Sequence, residues 1–456
     1  MLRRSFVATL FGVVLIILMS KAALASLPAA SSDSFKESSS EVLARRAFMA
    51  NPEESANAIS ALRSMGPDGL RVFLESNNAE IEAAIKSRSN SRKGSSSDAG
   101  STQTNQVLAA LDSICQQKDC YASRLYWYTD LDQAKVAARA QGKPILSLRL
   151  LGRLDEDLSC ANSRLFRVVL YANEKVSELL RENFVLHWQS VRPVPKVTID
   201  FGDGRRIERT LTGNSIHYVL DSEGGLIDAL PGLYGPAAFL RELERASMVA
   251  KELAAIHSDE ARQMALRRYH QLRLDESENA WMTDVKRAGL RFAPSREISS
   301  ADSSSPSAVQ AVPIAISKAT IERPILRGMF DDPKLLDSSG RDPGWVAISR
   351  LQALEATLGQ GTYELMSFKD PSLIGSSLQL AVTALERAVA EDTVRNEYIF
   401  RSRIHRWLAS GEVSTDVARL NEKIYDELFL TPGRDAWLGL RPAGTYTALD
   451  NDGVRK

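Results

Sequence analysis

The chain has 456 residues, of which 44% are hydrophobic and 25% are charged, and its 57 basic residues equal its 57 acidic residues in number. Because this length exceeds what one hydrophobic core usually organises, we expect two or three domains. The charge balance argues against a protein that binds nucleic acid by electrostatic attraction, since such a protein needs an excess of cations. The sequence contains no phosphate-binding glycine loop, no zinc-protease helix motif and no calcium-binding loop, so we predict no cofactor and no metal ion.

The N-terminus has the three parts of a secretory signal peptide. Positive charge in residues 1–4 precedes an apolar run over residues 6–19, and the small residues Ala23 and Ala25 form a cleavage site. We therefore predict a signal peptide over residues 1–25, cleaved after Ala25, and a mature protein that is periplasmic or secreted. The paired arginines resemble a twin-arginine export signal, whereas the apolar run favours the general secretory route, so both routes stay open. An uncleaved anchor is the alternative, although the run is short for a membrane span.

An exported protein can form disulfides, and this chain has three cysteines. Cys115 and Cys120 are close enough in sequence to pair, which would leave Cys160 as the unpaired thiol. The pairing is a candidate only, because the geometry of the two residues decides it and their spacing does not. No later segment approaches the length and apolarity of a transmembrane helix, so we expect a soluble mature protein without a stable membrane span.

Composition and hydrophobic periodicity divide the rest of the chain into helical and mixed parts. Apolar residues recur at helical spacing in the N-terminal and C-terminal regions, and serine-rich stretches interrupt them. The predicted segments are a flexible lead-in (26–40), a helical segment (41–120) with a disordered linker (87–104), an α/β segment (121–250), a helical extension (251–294), a second linker (295–316) and a helical C-terminal domain with an extended tail (317–456).

The strand patterns of the chain are concentrated in the α/β segment. Short apolar runs there alternate with helical periodicity and with glycine-containing turns that are typical of hairpins. In chain order they predict a strand, a helix, a second strand, hairpins and a closing helix, which together form a mixed sheet with helices on its faces. The predicted elements are strands at 145–150 and 184–188, hairpins at 197–211 and 216–229, and a helix from Gly235.

Four stretches of this segment resemble exported thioredoxin-like domains. Residues 142–144 (GKP) resemble the entry to their first central strand, and residues 183–185 (NFV) resemble the entry to the next one. Residues 218–224 (YVLDSEG) resemble their hairpin, and the helix from Gly235 resembles their closing helix. The likeness covers about residues 126–246 and implies a member of the thioredoxin superfamily. The predicted fold class is therefore an α/β thioredoxin-like domain flanked by all-α segments in a multi-domain chain.

The resemblance also shows where this chain departs from the family. Cys160 falls where the redox motif heads a helix, but Ser163 stands in place of the second cysteine. Ser215 stands where the family has the cis-proline that faces the motif, and a hairpin replaces a helix. These departures imply that the domain lacks ordinary dithiol chemistry, because a single thiol can form a mixed disulfide but cannot resolve it.

Cys160 and Ser163 are the candidate catalytic residues. A cysteine at a helix N-terminus meets the positive end of the helix dipole, which favours the thiolate, and Ser163 could donate a hydrogen bond to it. The alternative is a buried structural cysteine. Asn214, Ser215 and His217 are candidate binding residues, because the resemblance brings this stretch beside Cys160. A polar turn and a core histidine are the commoner explanation for these three.

A charged stretch near the C-terminus is a further candidate. Residues 401–407 place Arg401, His405 and further arginines beside Trp407. A cluster of this kind could bind a phosphate group. A run of charged residues on a helix more often marks its solvated side, so we predict a solvent-exposed helix face.

Three functions remain open at this point. The first is an exported thioredoxin-fold protein without dithiol redox activity that binds a protein or peptide partner outside the cytoplasm. The second is a monothiol oxidoreductase or isomerase that uses Cys160 as its nucleophile. The third is a structural component of the cell envelope. The reactivity of Cys160 separates the second from the other two.

Overall fold

The structure is a computed structural model, and it describes residues 39–49, 51–90, 98–298, 314–327, 342–412, 416–438, 440 and 448–454. The predicted signal peptide (1–25) and most of the lead-in (26–40) lie outside the described residues. From Ser39 onward the chain forms one compact unit. Among the described residues, no helix is both long and apolar enough to cross a membrane.

Five helices begin the described part of the chain: α1 (Ser39–Arg46), α2 (Pro52–Ser64), α3 (Pro67–Ser76), α4 (Asn78–Asn90) and α5 (Asp98–Cys115). The side-chain oxygen of Asn51 accepts a hydrogen bond from the backbone N–H of Glu53 and so caps the start of α2. Prolines open α2 and α3, where the missing N–H leaves no bond unmade. The apolar faces of these helices enclose a core that includes Leu62, Phe73 and Leu111.

The two predicted linkers are only partly described. Helices reach into the first linker (87–104) from both sides, since α4 ends at Asn90 and α5 begins at Asp98. Residues 91–97 of that linker, and residues 299–313 of the second linker (295–316), lie outside the described residues.

A disulfide joins the end of α5 to the turn that follows it. Cys115 is the last residue of α5, and it is bonded to Cys120 with a Cα–Cα distance of 6.3 Å. Asp112 holds the turn in place, because its carboxylate accepts the backbone N–H of Cys120 at 2.9 Å. The backbone N–H of Trp127 donates to the carbonyl of Cys115 at 3.0 Å. The bridge therefore connects the N-terminal helices to the beginning of the α/β part.

The α/β part is a mixed sheet with helices packed on it, as predicted. Its four strands, β1 (Ile145–Leu151), β2 (Val185–Arg192), β5 (Ile216–Leu220) and β6 (Leu226–Pro231), lie in the order β2-β1-β5-β6. β1 pairs with β2 in parallel and with β5 antiparallel, and β5 and β6 form an antiparallel hairpin. The predicted hairpin around Gly202 forms a separate two-stranded sheet of β3 (Lys196–Asp200) and β4 (Arg206–Thr210).

Helices cover the sheet and share its core. They are α6 (Leu131–Gln141), α7 (Ala161–Phe166), α8 (Glu174–Asn183) and α9 (Pro236–Ala254). Every residue of β1, β5 and β6 is buried, and most are apolar, as in strands that are covered on both faces. Their side chains pack with Trp127, Phe166 and Phe239 in one core.

The described residues of the C-terminal half are mainly helical, and several of these helices pack onto the sheet. They are α10 (Asp259–Arg287), α11 (Ile316–Leu326), α12 (Pro343–Leu351), α13 (Gln360–Lys369), α14 (Gly375–Arg395), α15 (Ser402–Ser410) and α16 (Val417–Lys423). A π-helical turn (Asn396–Arg401) joins α14 to α15, and another (Ile424–Leu428) follows α16. Phe400, Tyr425 and Phe429 belong to the same hydrophobic core as the sheet. The C-terminal helices are therefore built around the sheet as well as around one another.

Candidate functional site

Cys160 lies directly before α7, at the end of the loop that follows β1. Its backbone N–H donates to the carbonyl of Leu151 at 3.1 Å, which fixes the loop to the end of the strand. Gly152 allows the sharp exit from β1, because it adopts φ +75°, where a side chain would be strained. No part of Cys160 is exposed to solvent. It is the one cysteine of the chain outside the disulfide.

Two hydroxyl groups surround the thiol, and both belong to residues that the sequence singled out. The Sγ atom of Cys160 is 2.9 Å from Oγ of Ser215 and 3.4 Å from Oγ of Ser163. The Ser163 hydroxyl donates its hydrogen to the carbonyl of Cys160 at 2.9 Å. Because a serine hydroxyl has one hydrogen, Ser163 accepts from the thiol here and has no proton left for a thiolate. The role that the resemblance suggested for Ser163 is therefore not the one its hydrogen bonds give it.

The loop before β5 presses directly against Cys160. An added Cβ at Gly213 would lie only 2.1 Å from Cβ of Cys160, so only glycine fits this approach. Asn214 is buried, and its Oδ1 accepts a weak bond from Asn162 at 3.4 Å. The structure thus places Asn214 and Ser215 beside Cys160, inside the protein and not on a binding surface.

His217 points to different partners. Its Nε2 lies 2.7 Å from the hydroxyl of Tyr171, and its ring packs against Phe166 and Phe239. Burial lowers the pKa of His217 to about 3, so the ring is neutral at physiological pH. It is a core histidine, and its described contacts do not join it to Cys160.

Helices from the C-terminal half cover the face on which Cys160 lies. The Tyr425 hydroxyl donates to the carbonyl of Asn214 at 2.9 Å, and the Tyr218 hydroxyl donates to Asn421 at 3.1 Å. A carboxylate oxygen of Glu322 on α11 accepts the backbone N–H of Thr212 at 3.1 Å. These contacts close the surroundings of the thiol, so a substrate disulfide has no path to the Sγ atom in this conformation.

The charged stretch 401–407 is not the solvated helix face that its sequence predicts. Arg401 is 0% exposed and His405 is 1% exposed. The Arg401 guanidinium lies 2.7 Å from Asp228, 2.6 Å from Glu242 and 3.1 Å from Glu397. The prediction is wrong because β6 and α9 supply buried carboxylates opposite this helix. Only the outer side, with Arg406, faces the solvent.

Beside this ion-pair network lies a pair of buried histidines. Nδ1 of His270, on α10, is 2.9 Å from Nδ1 of His405, on α15. Burial lowers the pKa of His270 to about 4, and it lowers the pKa of His405 well below its usual value. One atom of Asp228 and one of each histidine lie within 4.8 Å of one another, all three residues being buried. Sequence analysis missed this cluster, since its members are far apart in the chain and form no spaced motif.

A groove opens on another side of the protein, where the N-terminal helical part meets α8 and α13. We call it the α8–α13 groove, and its cavity volume is about 1010 Å³. Its floor and walls mix apolar and charged side chains, among them Tyr121, Arg181, Tyr363, Phe368, Ile374 and Leu378. Ile374 stands at its rim and is 70% exposed.

Comparison with family models, with curated proteins and with solved structures finds no match for this chain.

Proposed function

We propose that this protein is an exported, thioredoxin-like protein that binds a protein or peptide partner outside the cytoplasm and has no dithiol–disulfide exchange activity. The order of elements supports the thioredoxin-like assignment. β1 is followed by α7 with Cys160 at its head, then by the parallel strand β2, the hairpin β5–β6 and α9. This is the order that the sequence resemblance implies.

The proposal that dithiol chemistry is absent rests on the surroundings of Cys160. The thiol is fully buried, and its nearest polar neighbours are the hydroxyls of Ser163 and Ser215. Disulfide exchange needs an accessible thiolate for the first attack and a second thiol to release the product. Neither is present beside Cys160, whose position is that of a packed structural residue.

The α8–α13 groove is the surface that we assign to the partner. Its volume of about 1010 Å³ is at the upper end of the range for ligand sites. An exposed apolar surface with polar and charged residues around it is typical of interaction sites. Arg181 and Glu174 supply charges that can pair with the ends or side chains of an extended peptide.

A thiol titration tests the redox part of the proposal. The mature protein is mixed with an aromatic disulfide reagent in its native state and in guanidinium chloride. We expect Cys160 to react in the native protein at least about a hundredfold more slowly than in the unfolded protein, since buried cysteines are inert. Rapid native reaction that is lost in Cys160→Ser would favour the monothiol enzyme instead. N-terminal sequencing of the exported protein tests cleavage after Ala25.

A peptide-binding experiment tests the groove. Peptides are selected from a displayed library on the mature wild-type protein, and their affinity is then measured by fluorescence anisotropy. We expect binding to survive Cys160→Ser and to weaken at least about tenfold in Ile374→Asp, which places a charge on an apolar contact. Leu354→Asp is the matched control, because Leu354 is 88% exposed and lies outside the groove. Equal affinity of Ile374→Asp and wild type would remove the groove from the proposal.

A further inference from the structure

We propose that Asp228, His270 and His405 form a binding site for one zinc ion, at which the sheet and two C-terminal helices are joined. The three residues offer one ligand atom each, and these atoms lie within 4.8 Å of one another. Ligand atoms on a tetrahedral zinc ion, at metal distances of about 2.0–2.1 Å, stand about 3.3 Å apart. The two imidazole nitrogens are 2.9 Å apart, so only a small rotation of the rings separates them enough to share an ion.

Rigid elements hold the three residues in place. Asp228 lies in β6, the edge strand of the sheet, while His270 and His405 lie within the long helix α10 and the helix α15. α10 and α15 pack along each other. A hydrogen bond of 2.7 Å between Ser277 and Ser402, near the two histidines, fixes the position of one helix relative to the other. Ligands on helices and strands keep their geometry better than ligands on loops.

Hydrogen bonding within the protein does not explain why two histidines are buried here. The Nε2 atoms of His270 and His405 are both buried without a hydrogen-bond partner among the described residues. In a pair linked only by its Nδ1 atoms, one ring is left with an unused N–H and the other with an unused lone pair. Unpaired buried polar atoms destabilise a fold, and native structures contain few of them. Zinc bound to the two Nδ1 atoms leaves each Nε2 as an N–H without a partner, so it is the energy of the two zinc–nitrogen bonds that offsets this loss.

Asp228 can bind an ion while it keeps its other partners. Its Oδ2 atom accepts from the hydroxyl of Tyr269 at 2.6 Å and from Arg401 at 2.7 Å. Among the described residues its Oδ1 atom accepts only the backbone N–H of Ala229, at 2.7 Å, and so retains a lone pair. Hydrogen bonds that orient a ligating carboxylate in this way are the usual second layer of a metal site. Two imidazoles with one carboxylate suit zinc better than magnesium or calcium, which prefer oxygen ligands alone.

Zinc titration of the untagged mature protein tests the proposal. The protein is treated with a chelator, dialysed, and titrated with Zn²⁺ by calorimetry, and Co²⁺ is used as a second probe because its visible absorption reports tetrahedral coordination. We expect one Zn²⁺ per chain and a rise of the thermal unfolding midpoint when zinc is added, since an ion that binds only the folded state stabilises it. His405→Gln and His270→Gln should each weaken binding by at least about a hundredfold, because each removes a ligand.

His257→Gln is the matched control, because His257 is an exposed histidine just before α10. It should bind zinc as the wild type does. Near-UV circular dichroism shows whether each variant is folded. The proposal is overturned if the wild type binds no zinc at micromolar concentration and shows no thermal shift, a result that needs no variant. It is also overturned if folded His405→Gln retains wild-type affinity, or if His257→Gln loses it.

Discussion

Replacement of Arg401 by methionine should show how much the buried ion-pair network contributes to the free energy of unfolding. Methionine keeps most of the volume of the arginine stem but removes the charge that Asp228, Glu242 and Glu397 share. Glu242 and Glu397 keep a second guanidinium, that of Arg273, at 2.8 and 3.3 Å. Asp228 keeps only its neutral donors, so it is the group that Arg401→Met leaves without a cationic side chain.

The size of the effect follows from how Asp228 can respond. In the wild type, burial raises the pKa of Asp228, but the charge of Arg401, with weaker contributions from the two histidines and Tyr269, holds the net value well below its usual range. Without Arg401 the carboxylate can take up a proton, which at pH 7 costs about 4 kcal/mol for a group with an unfolded pKa of about 3.9. We therefore expect Arg401→Met to lower the free energy of unfolding by about 4 kcal/mol, within the range of about 3–5 kcal/mol for breaking a buried ion pair.

The pH dependence gives the sharper test. In the wild type the depressed pKa of Asp228 contributes stability that is complete above the unfolded pKa, so this contribution does not change between pH 7 and pH 5. In the variant the folded pKa of Asp228 is raised above 7, so the variant regains stability as the pH falls from 7 towards the unfolded pKa of about 3.9. Two pH units lower the cost of protonation by about 2.7 kcal/mol, so the difference should shrink to about 1.5 kcal/mol at pH 5.

Urea unfolding in the presence of EDTA, followed by tryptophan fluorescence at both pH values, measures this difference. The matched control is Arg406→Met in the adjoining helix α15, because Arg406 is 57% exposed and lies 3.7 Å from Glu278. An exposed pair of this kind contributes less than about 1 kcal/mol. The reasoning is refuted if Arg401→Met is no more destabilising than Arg406→Met, or if its effect stays constant between pH 7 and pH 5.

Three further substitutions test other contacts of the fold. In Gly213→Ala the new Cβ would stand 2.1 Å from Cβ of Cys160, so this variant should be less stable by about 1–3 kcal/mol in urea unfolding. The double variant with Cys160→Gly should recover part of this loss. If the effects of the two substitutions simply add, the steric explanation is contradicted. Replacing Cys115 and Cys120 by serine opens a loop with a sequence separation of 5 residues and should lower the free energy of unfolding by about 2 kcal/mol. An unchanged urea midpoint would show that the disulfide does not stabilise the fold. Tyr425→Phe removes a buried hydrogen bond and should lower the free energy of unfolding by about 1 kcal/mol. It should also accelerate alkylation of Cys160 in the native protein about fivefold, and an alkylation rate equal to that of the wild type would contradict this.

Local patterns in the sequence were sufficient to predict the strands of a mixed sheet, though not their order in it. Each of its strands is a short apolar run, and the turn at 221–224 carries the glycine and aspartate that a tight hairpin needs. The same is true of the hairpin around Gly202, where glycines take φ values of +75° and +91°. These elements depend on neighbours in the chain, and neighbours are visible in a single sequence.

The environment of the candidate site could not be predicted in this way. Arg401 and His405 read as a solvated helix face, because nothing nearby in the chain shows that Asp228 and Glu242 lie opposite them. The burial of Cys160 has the same origin, since Tyr425 reaches it from 265 positions further along the sequence. Contacts of this kind depend on how distant segments pack, and a single sequence carries no record of that packing.

The cover formed by the C-terminal helices sets a limit on the chemistry of Cys160, whatever the intrinsic reactivity of its thiol. A substrate can reach the sulfur only after hydrogen bonds such as those from Tyr425 to Asn214, from Thr212 to Glu322 and from Tyr218 to Asn421 are broken. If each contributes about 1 kcal/mol, opening costs about 3 kcal/mol, and the thiol is accessible less than about 1% of the time. The apolar contacts that open with them lower this fraction further. The proposed partner would therefore bind most readily at a surface that is already open, which is why we assign it to the α8–α13 groove and not to the face of Cys160.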